Sequence, residues 1–223
     1  MSHIVNIKLI ESLTHDVRHI ITDKPANFNY SPGQAVDVSI NKPNWENALR
    51  AFTFTSLPSD NQLEFTIKTY PERKGVTAEL LTLKAGDSLI LGEVFGAISY
   101  KGPGVFIAGG AGITPFLCII KQLEKDNKLQ NNKLLFANKT KSDIILEDRF
   151  RKLFGVNYTN VLSDETLDGY EHGFVTADLI KKVSNNESDY YYICGPDPML
   201  NAVMKQLNGL GVPENHIVHE DFD

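Results

Sequence analysis

Over the first hundred residues the apolar positions come in short bursts that alternate with polar ones, the period of two that puts every other side chain of a strand on one face. Ile4 to Ile10 alternates weakly, Val17 to Thr22 follows, and a Tyr30-Ser31-Pro32-Gly33 turn precedes Ala35 to Ile40. After the polar loop Asn41 to Asn47 come Arg50 to Thr55, a turn at Pro58-Ser59-Asp60-Asn61, and Leu63 to Tyr70. Lys84-Ala85-Gly86-Asp87 then leads into Ser88 to Leu91. Short strands parted by turn residues about every 8 to 12 positions predict a closed antiparallel β-barrel.

Beyond Lys101-Gly102-Pro103-Gly104 the period changes. Strand patterns at Val105 to Ala108, Lys133 to Ala137, Asn157 to Leu162, Tyr190 to Cys194 and Ile217 to His219 alternate with helical ones. The helical patterns run to Lys125, from Glu147 to Phe154, from Thr176 to Val183 and from Pro198 to Leu210. Such alternation predicts a parallel sheet wrapped by helices. The expected organisation is therefore a β-barrel domain over residues 1–100 and an α/β domain over residues 101–223, with no long linker, repeat or low-complexity segment between them.

The bulk numbers agree with two ordinary domains. Of 223 residues, 42% are hydrophobic and 22% charged, which excludes a disordered chain. No apolar run approaches the roughly 20 residues that span a bilayer. The start, MSHIVNIKLIESL, lacks the basic and apolar blocks of a secretory signal, so a cytoplasmic monomer is expected. A net charge of -6 with no basic tract argues against nucleic acid as a partner. Two cysteines, Cys118 and Cys194, cannot supply a four-cysteine cluster, and the six histidines give no expectation of a metal: His15 and His19 stand at H-x-x-x-H spacing, but Val17 to Thr22 reads as strand rather than helix.

Four stretches carry candidate chemistry. In Val105 to Leu117 a strand stops at Gly109-Gly110-Ala111-Gly112 and Ile113-Thr114-Pro115 opens a helix, an arrangement whose free amides attract a pyrophosphate. Its spacing, G-G-x-G-x-x-P, departs from G-x-G-x-x-G, and the stretch reads also as an ordinary tight turn. Arg50-Ala51-Phe52-Thr53-Phe54-Thr55-Ser56 combines a cation able to clasp a diphosphate with aromatics and hydroxyls. Alternation would put Arg50, Phe52 and Phe54 on one face and Thr53 and Thr55 on the other; a plain barrel strand is the competing reading. Lys74-Gly75-Val76-Thr77 turns into a helical pattern, either a second phosphate cradle or a short helix capped by Thr77. Lastly Tyr190 to Met199 runs a strand into Cys194-Gly195-Pro196, a turn expected beside the Gly109 turn, with Cys194 facing the crevice or simply buried.

In this order the four stretches resemble the ferredoxin-NADP reductase superfamily over essentially the whole chain, and most of all its two-domain flavodoxin reductases and NADH-dependent cytochrome reductases. The resemblance implies FAD held by Arg50, Phe52, Thr53, Thr55 and Ser56 of the R-x-[YF]-[ST]-x-x-S strand, by Lys68 and Tyr70, and by Gly75, Val76 and Thr77. It implies NADH or NADPH held by Gly110, Gly112, Thr114, Pro115, Cys194, Gly195, Pro196 and Met199. Phe52 stands where tyrosine is commoner. Gly92-Glu93-Val94-Phe95-Gly96 is similar to the family's P-F-G loop, with Val94 for proline, and supports FAD over FMN. Glu220 and Phe222 match the ending E-x-[YF], with Asp223 following the aromatic that covers the flavin in relatives.

The activity so implied is hydride transfer from the nicotinamide to FAD and single electrons passed on to flavodoxin, ferredoxin or a cytochrome. Thr53 is expected at the reactive edge of the flavin, Cys194 near the nicotinamide, and Glu220 in polarity or proton supply. After the third strand of the α/β domain, NADPH users place a serine and arginine; here Ser163-Asp164-Glu165 favours NADH. The segment Phe136 to Ile144, with Asn138, is also similar to the NADH-dependent cytochrome reductases, while Lys139 and Lys141 keep NADPH open. Two other functions stay in view: an electron-transfer subunit of a larger oxygenase or reductase complex, and a nucleotide-binding sensor without turnover.

Overall fold

The computed structural model describes residues 2–184 and 189–220. Six strands build the first sheet: β1 (His3–Ser12), β2 (Val17–Asp23), β3 (Ala35–Ile40), β4 (Arg50–Thr53), β5 (Gln62–Lys68) and β6 (Ser88–Phe95). They pair antiparallel in the order β4-β3-β6-β1-β2-β5. The two edges meet through a bridge between Phe54 and Phe65 and a 2.8 Å bond from the Thr55 amide to the Glu64 carbonyl, which closes the barrel. Val5, Ile20, Val38, Leu63, Phe65, Leu89 and Leu91 fill it.

Closure explains the one strand whose pattern misleads. β4 ends at Thr53, two residues early, because the chain leaves β3 there and turns across to β5. Phe54, Thr55 and Ser56 are consequently all buried, and the face expected for Arg50, Phe52 and Phe54 does not form: Arg50 is exposed and Phe54 wholly enclosed. Tyr30 stacks on Phe54 with ring centroids 4.0 Å apart, and its hydroxyl meets the Ser56 hydroxyl at 2.8 Å. A short helix, α1 (Val76–Glu79), follows β5. Its N-cap is Gly75, so Thr77 does not cap it.

The second sheet contains β7 (Gly104–Gly109), β8 (Lys133–Asn138), β9 (Tyr158–Leu162), β10 (Glu171–His172), β11 (Tyr190–Cys194) and β12 (Ile217–Val218), parallel in the order β10-β9-β8-β7-β11-β12. Around it lie α2 (Thr114–Lys125), α3 (Glu147–Phe154), α4 (Ala177–Val183) and α5 (Asp197–Gly209). Residues of β7 alternate between two cores. Phe106 and Ala108 pack with Phe116, Ile120 and Phe150, while Val105 and Ile107 pack with Val203 and Leu207. A strand buried on both faces must be apolar throughout, as this one is. β10 is an addition to the expected strands: two polar residues held in the ladder beside β9, with no apolar pattern to announce them.

The sheets divide between Phe95 and Gly104. The joint between them is pinned. The buried Tyr192 hydroxyl accepts the amides of Lys101 (2.9 Å) and Gly102 (3.0 Å) and donates to the Gly102 carbonyl (2.7 Å), and Asn132 Oδ1 accepts the Gly104 amide at 3.2 Å. No described helix is long and apolar enough to cross a membrane.

Candidate active site

β7 and β11 are neighbours, and the chain winds from β7 through β8 to one edge and from β11 to the other. That is the switch point of an open parallel sheet, where a crevice opens beyond the carboxyl ends of the strands. The turns after both strands meet there. A β-carbon on Gly112 would stand 2.1 Å from the Cys194 carbonyl oxygen, and one on Gly109 would stand 2.3 Å from Met199 Sδ. Gly195 also lies against Gly109, its β-carbon position 3.2 Å from the Gly109 Cα. These glycines, with Pro196 and Met199, thus interlock the two turns. Gly110 differs: its φ is +53° and nothing lies within 4 Å of its β-carbon position. It opens the single turn of 3₁₀ helix that runs into α2, whose first residues are Thr114 and the buried Pro115. The open approach for an anion is therefore at Gly110.

The barrel reaches the same crevice. Ala35 of β3 pairs with Thr53 on one side and Phe95 on the other, which sets the half-buried Thr53 two strand spacings, roughly 10 Å, from the β6 edge. Just beyond that edge the Ala97 amide donates to Glu220 Oε1 at 3.2 Å. Burial pushes the Cys194 thiol up to about 12, and the Glu220 carboxylate adds to the shift, so the thiol keeps its proton at neutral pH. A thiol held protonated in this way is a poor nucleophile. Phe222 lies outside the described residues.

At the far end of β4 the Arg50 guanidinium is exposed and donates to the neighbouring Leu49 carbonyl at 2.7 Å. Lys42, from the loop before β4, holds Glu79 of α1 at 3.2 Å, which ties the short helix that follows Gly75 to that loop. The first amides of α1 have no acceptor within the helix. Other expected flavin residues also make contacts within the protein. Lys68 Nζ pairs with Asp16 at 2.7 Å, the Tyr70 ring lies 4.3 Å from the Arg73 guanidinium carbon, and Phe52 packs against the barrel core. Thr55 and Ser56 are 1% and 0% exposed, with Ser56 Oγ accepting the Glu64 amide at 3.0 Å, so their side chains serve barrel closure.

Asn138 ends β8 and is buried, yet neither atom of its side-chain amide has a protein partner. Its carbonyl accepts the Ser163 amide at 3.0 Å, which brings Ser163-Asp164-Glu165 alongside. Asp164 is exposed and accepts the Ser163 hydroxyl at 2.6 Å; Glu165 accepts the Lys141 amide at 2.8 Å. The sequence reading missed Phe174. It is 79% exposed one residue after Gly173, whose amide bonds the Leu162 carbonyl, so an unburied aromatic stands at the same end of the sheet as Asp164. A phenylalanine in a stretch without periodicity was its only signal.

Among the described residues one group offers three possible metal-ligand atoms within 4.8 Å of one another: His15, Asp16 and Asp143. The Lys68 ammonium already sits on Asp16 Oδ2 and supplies the compensating charge.

An anion approach at Gly110, an exposed arginine at the barrel rim, an orphaned buried amide at Asn138 and a shared wall through Glu220 suit a protein holding a flavin dinucleotide on its barrel and a nicotinamide dinucleotide on its sheet. Family comparison gives the same division: residues 2–103 match the FAD-binding domain and residues 106–205 the oxidoreductase NAD-binding domain. The chain belongs to the ferredoxin-NADP reductase superfamily, and its cofactors are FAD and NADH or NADPH. It is 28% identical over 232 residues to the reductase component of propane 2-monooxygenase from Rhodococcus jostii, an alignment that takes in 96% of this chain and 61% of that protein. It is 34% identical over 181 residues to NADH-cytochrome b5 reductase 1 of Emericella nidulans, covering 71% of this chain and 57% of that one. The chain thus spans about three fifths of the length of these relatives. The flavohaem-like FAD/NAD-binding domain of a nitric oxide dioxygenase from Vibrio cholerae shares the fold, with a TM-score of 0.85, 22% identity and 98% of each chain covered.

Proposed function

We propose that this protein is an FAD-containing reductase that takes hydride from NADH in preference to NADPH and delivers electrons to a small redox protein, such as a ferredoxin, a flavodoxin or a cytochrome. One observation carries the reading: Glu220 accepts the Ala97 amide just past the end of β6, two strands across from Thr53, and its carboxylate acts on the Cys194 thiol, so we take the wall of the flavin site and the wall of the nicotinamide site as one surface.

Bound FAD supplies the chemistry that takes up two electrons together and releases them singly. The chain does the rest. Arg50 and the amides of Val76 and Thr77 hold the flavin's diphosphate, and the Thr53 hydroxyl marks the reactive edge of the ring. Gly110 and Thr114 receive the nicotinamide's pyrophosphate at the start of α2, with the orphaned Asn138 amide beside it. Phe174 offers a face to the adenine, and Asp164 accepts a bond from the ribose hydroxyl while repelling a 2′-phosphate. The protonated Cys194 excludes water without ionising, and Glu220 supplies a carboxylate at the rim.

A second reading, service as the reductase of an oxygenase system, is favoured by the name of the Rhodococcus relative. Assays of NADH-driven reduction across ferredoxin, flavodoxin and cytochrome acceptors, with an oxygenase component added in parallel, test both. Turnover with one of these proteins supports the reading. Turnover with none of them, by a protein that carries FAD, contradicts it.

A further inference from the structure

One face of α2 is bonded to the barrel. Cys118, Lys121 and Lys125 recur at the three-to-four-residue spacing that aligns side chains along a helix. Cys118 Sγ donates to the Ser56 carbonyl at 2.9 Å, Lys121 Nζ meets Glu64 Oε2 at 2.6 Å, and Lys125 Nζ meets Ser59 Oγ at 3.0 Å. All three acceptors lie between the end of β4 and the middle of β5. Cys118 is wholly buried among barrel residues.

Glu64 is the pivot of this contact. Its backbone carbonyl accepts the Thr55 amide and its own amide donates to Ser56 Oγ, so it fixes the chain just beyond Thr53. Its carboxylate holds Lys121 on one side and stands 3.5 Å from His19 Nε2 on the other. Burial alone would raise its pKa, but the bonds to His19 and Lys121 outweigh burial and hold it at about 2. At the other end of the same helix is the turn that receives the nucleotide. The flavin strand and the nicotinamide turn are thus joined through one rigid helix, whose ion pair to the barrel stands between the Cys118 and Lys125 hydrogen bonds.

We propose that the Glu64–Lys121 pair is a positioning clamp that sets the approach of the nicotinamide to the flavin, with Glu64 and Lys121 as positioning residues for hydride transfer. The inference rests on the reductase reading above. The pinned joint at Tyr192 limits translation of the two domains, and the clamp removes the remaining rotation of α2 against β5. Neither residue touches the reacting atoms. Its loss therefore leaves both dinucleotides bound and misplaces one relative to the other, and a misplacement of about 1 Å can cost on the order of 100-fold in rate.

The test uses the FAD-loaded protein and the variants Lys121→Met, Glu64→Gln, both together, and Lys121→Arg. Anaerobic stopped-flow reduction by NADH gives the limiting rate and the half-saturating NADH concentration, and hydrogen exchange of residues 56–64 and 114–125 reads the clamp itself. The expected result is a limiting rate lower by roughly 10- to 100-fold in either single variant. Half-saturation and FAD content should stay within about twofold of wild type. The double variant should be no slower than the slower single, because Glu64→Gln already removes the contact that Lys121→Met removes. Lys121→Arg should recover most of the rate, and exchange in residues 114–125 should accelerate in the Met variant. An unchanged limiting rate, a loss that merely follows lost FAD, or unchanged exchange overturns the clamp. A wild type that neither NADH nor NADPH reduces overturns the reductase reading instead, and the exchange comparison still judges the contact.

Discussion

Gly112 lies against the carbonyl of Cys194 so closely that a β-carbon there would stand 2.1 Å from the oxygen. Backbone cannot swing aside as a side-chain tip can, so Gly112→Ala must push the two turns apart. Overpacking of this kind costs about 1 to 3 kcal/mol. We expect the upper end, with a fall of roughly 2 to 4 °C in melting temperature per kcal/mol. Gly110→Ala meets nothing and bears only its positive φ, about 1 to 2 kcal/mol. Its larger effect should be weaker NADH binding. Melting curves and NADH titrations of the two variants separate these roles; equal loss of stability with no change in NADH binding would contradict the assignment of Gly110.

Arg50→Ala should release flavin without unfolding the chain. The guanidinium is exposed and its bond runs to the adjoining Leu49 carbonyl, so the fold depends little on it. Each lost charge-assisted bond to a diphosphate is worth about 1.5 to 3 kcal/mol. Flavin absorbance per chain, measured beside the melting curve of the apoprotein, checks this. Full occupancy in the variant would leave Arg50 a surface residue.

Asp164→Arg should move coenzyme preference toward NADPH. The carboxylate is exposed beside the Asn138 end of β8, and reversing its charge near a phosphate is worth roughly 1 to 3 kcal/mol, or about 5- to 150-fold. The ratio of kcat/KM for the two coenzymes, before and after the change, is the readout. An unchanged ratio would place Asp164 away from the nucleotide.

The contact of Glu64 with His19 makes stability depend on pH. The hydrogen bond that His19 donates to Glu64 raises the His19 pKa above 6.5 despite burial, so this contribution is complete below pH 6.5 and is lost as pH rises through the folded value. Glu64 is depressed from 4.5 to about 2, so its contribution is complete above pH 4.5 and is lost as pH falls toward 2. The Glu64–His19 contact contributes to both shifts, with Lys121 adding to that of Glu64 and Glu11 to that of His19. The difference in melting temperature between wild type and Glu64→Gln should therefore be greatest between pH 4.5 and 6.5 and shrink on either side. A difference independent of pH would show that the pair carries no linkage.

What could be read from sequence followed from local periodicity. Ala35–Ile40, Glu147–Phe154 and Tyr190–Cys194 occur at the expected bounds because each carries its own apolar pattern. The early end of β4 did not, since only closure against Phe65 reveals it. β10 has no apolar residue and exists through backbone pairing alone. Motif spacing found the G-G-x-G turn, but the reason for Gly112 is a carbonyl on another strand, and the reason for Lys121 is a carboxylate in the other domain. Likewise Asn138 was suggested by resemblance, whereas its unpartnered amide is visible only in three dimensions.

The most direct test is spectroscopic. The purified protein, freed of oxygen, is titrated with NADH while the visible flavin band is followed, and the flavin released by heat is then identified by chromatography. The account predicts a yellow protein with one FAD per chain whose band bleaches with one equivalent of NADH and returns when a one-electron protein acceptor is added. A colourless protein that gains no band when FAD is supplied, or a flavin band that neither NADH nor NADPH bleaches, would contradict it.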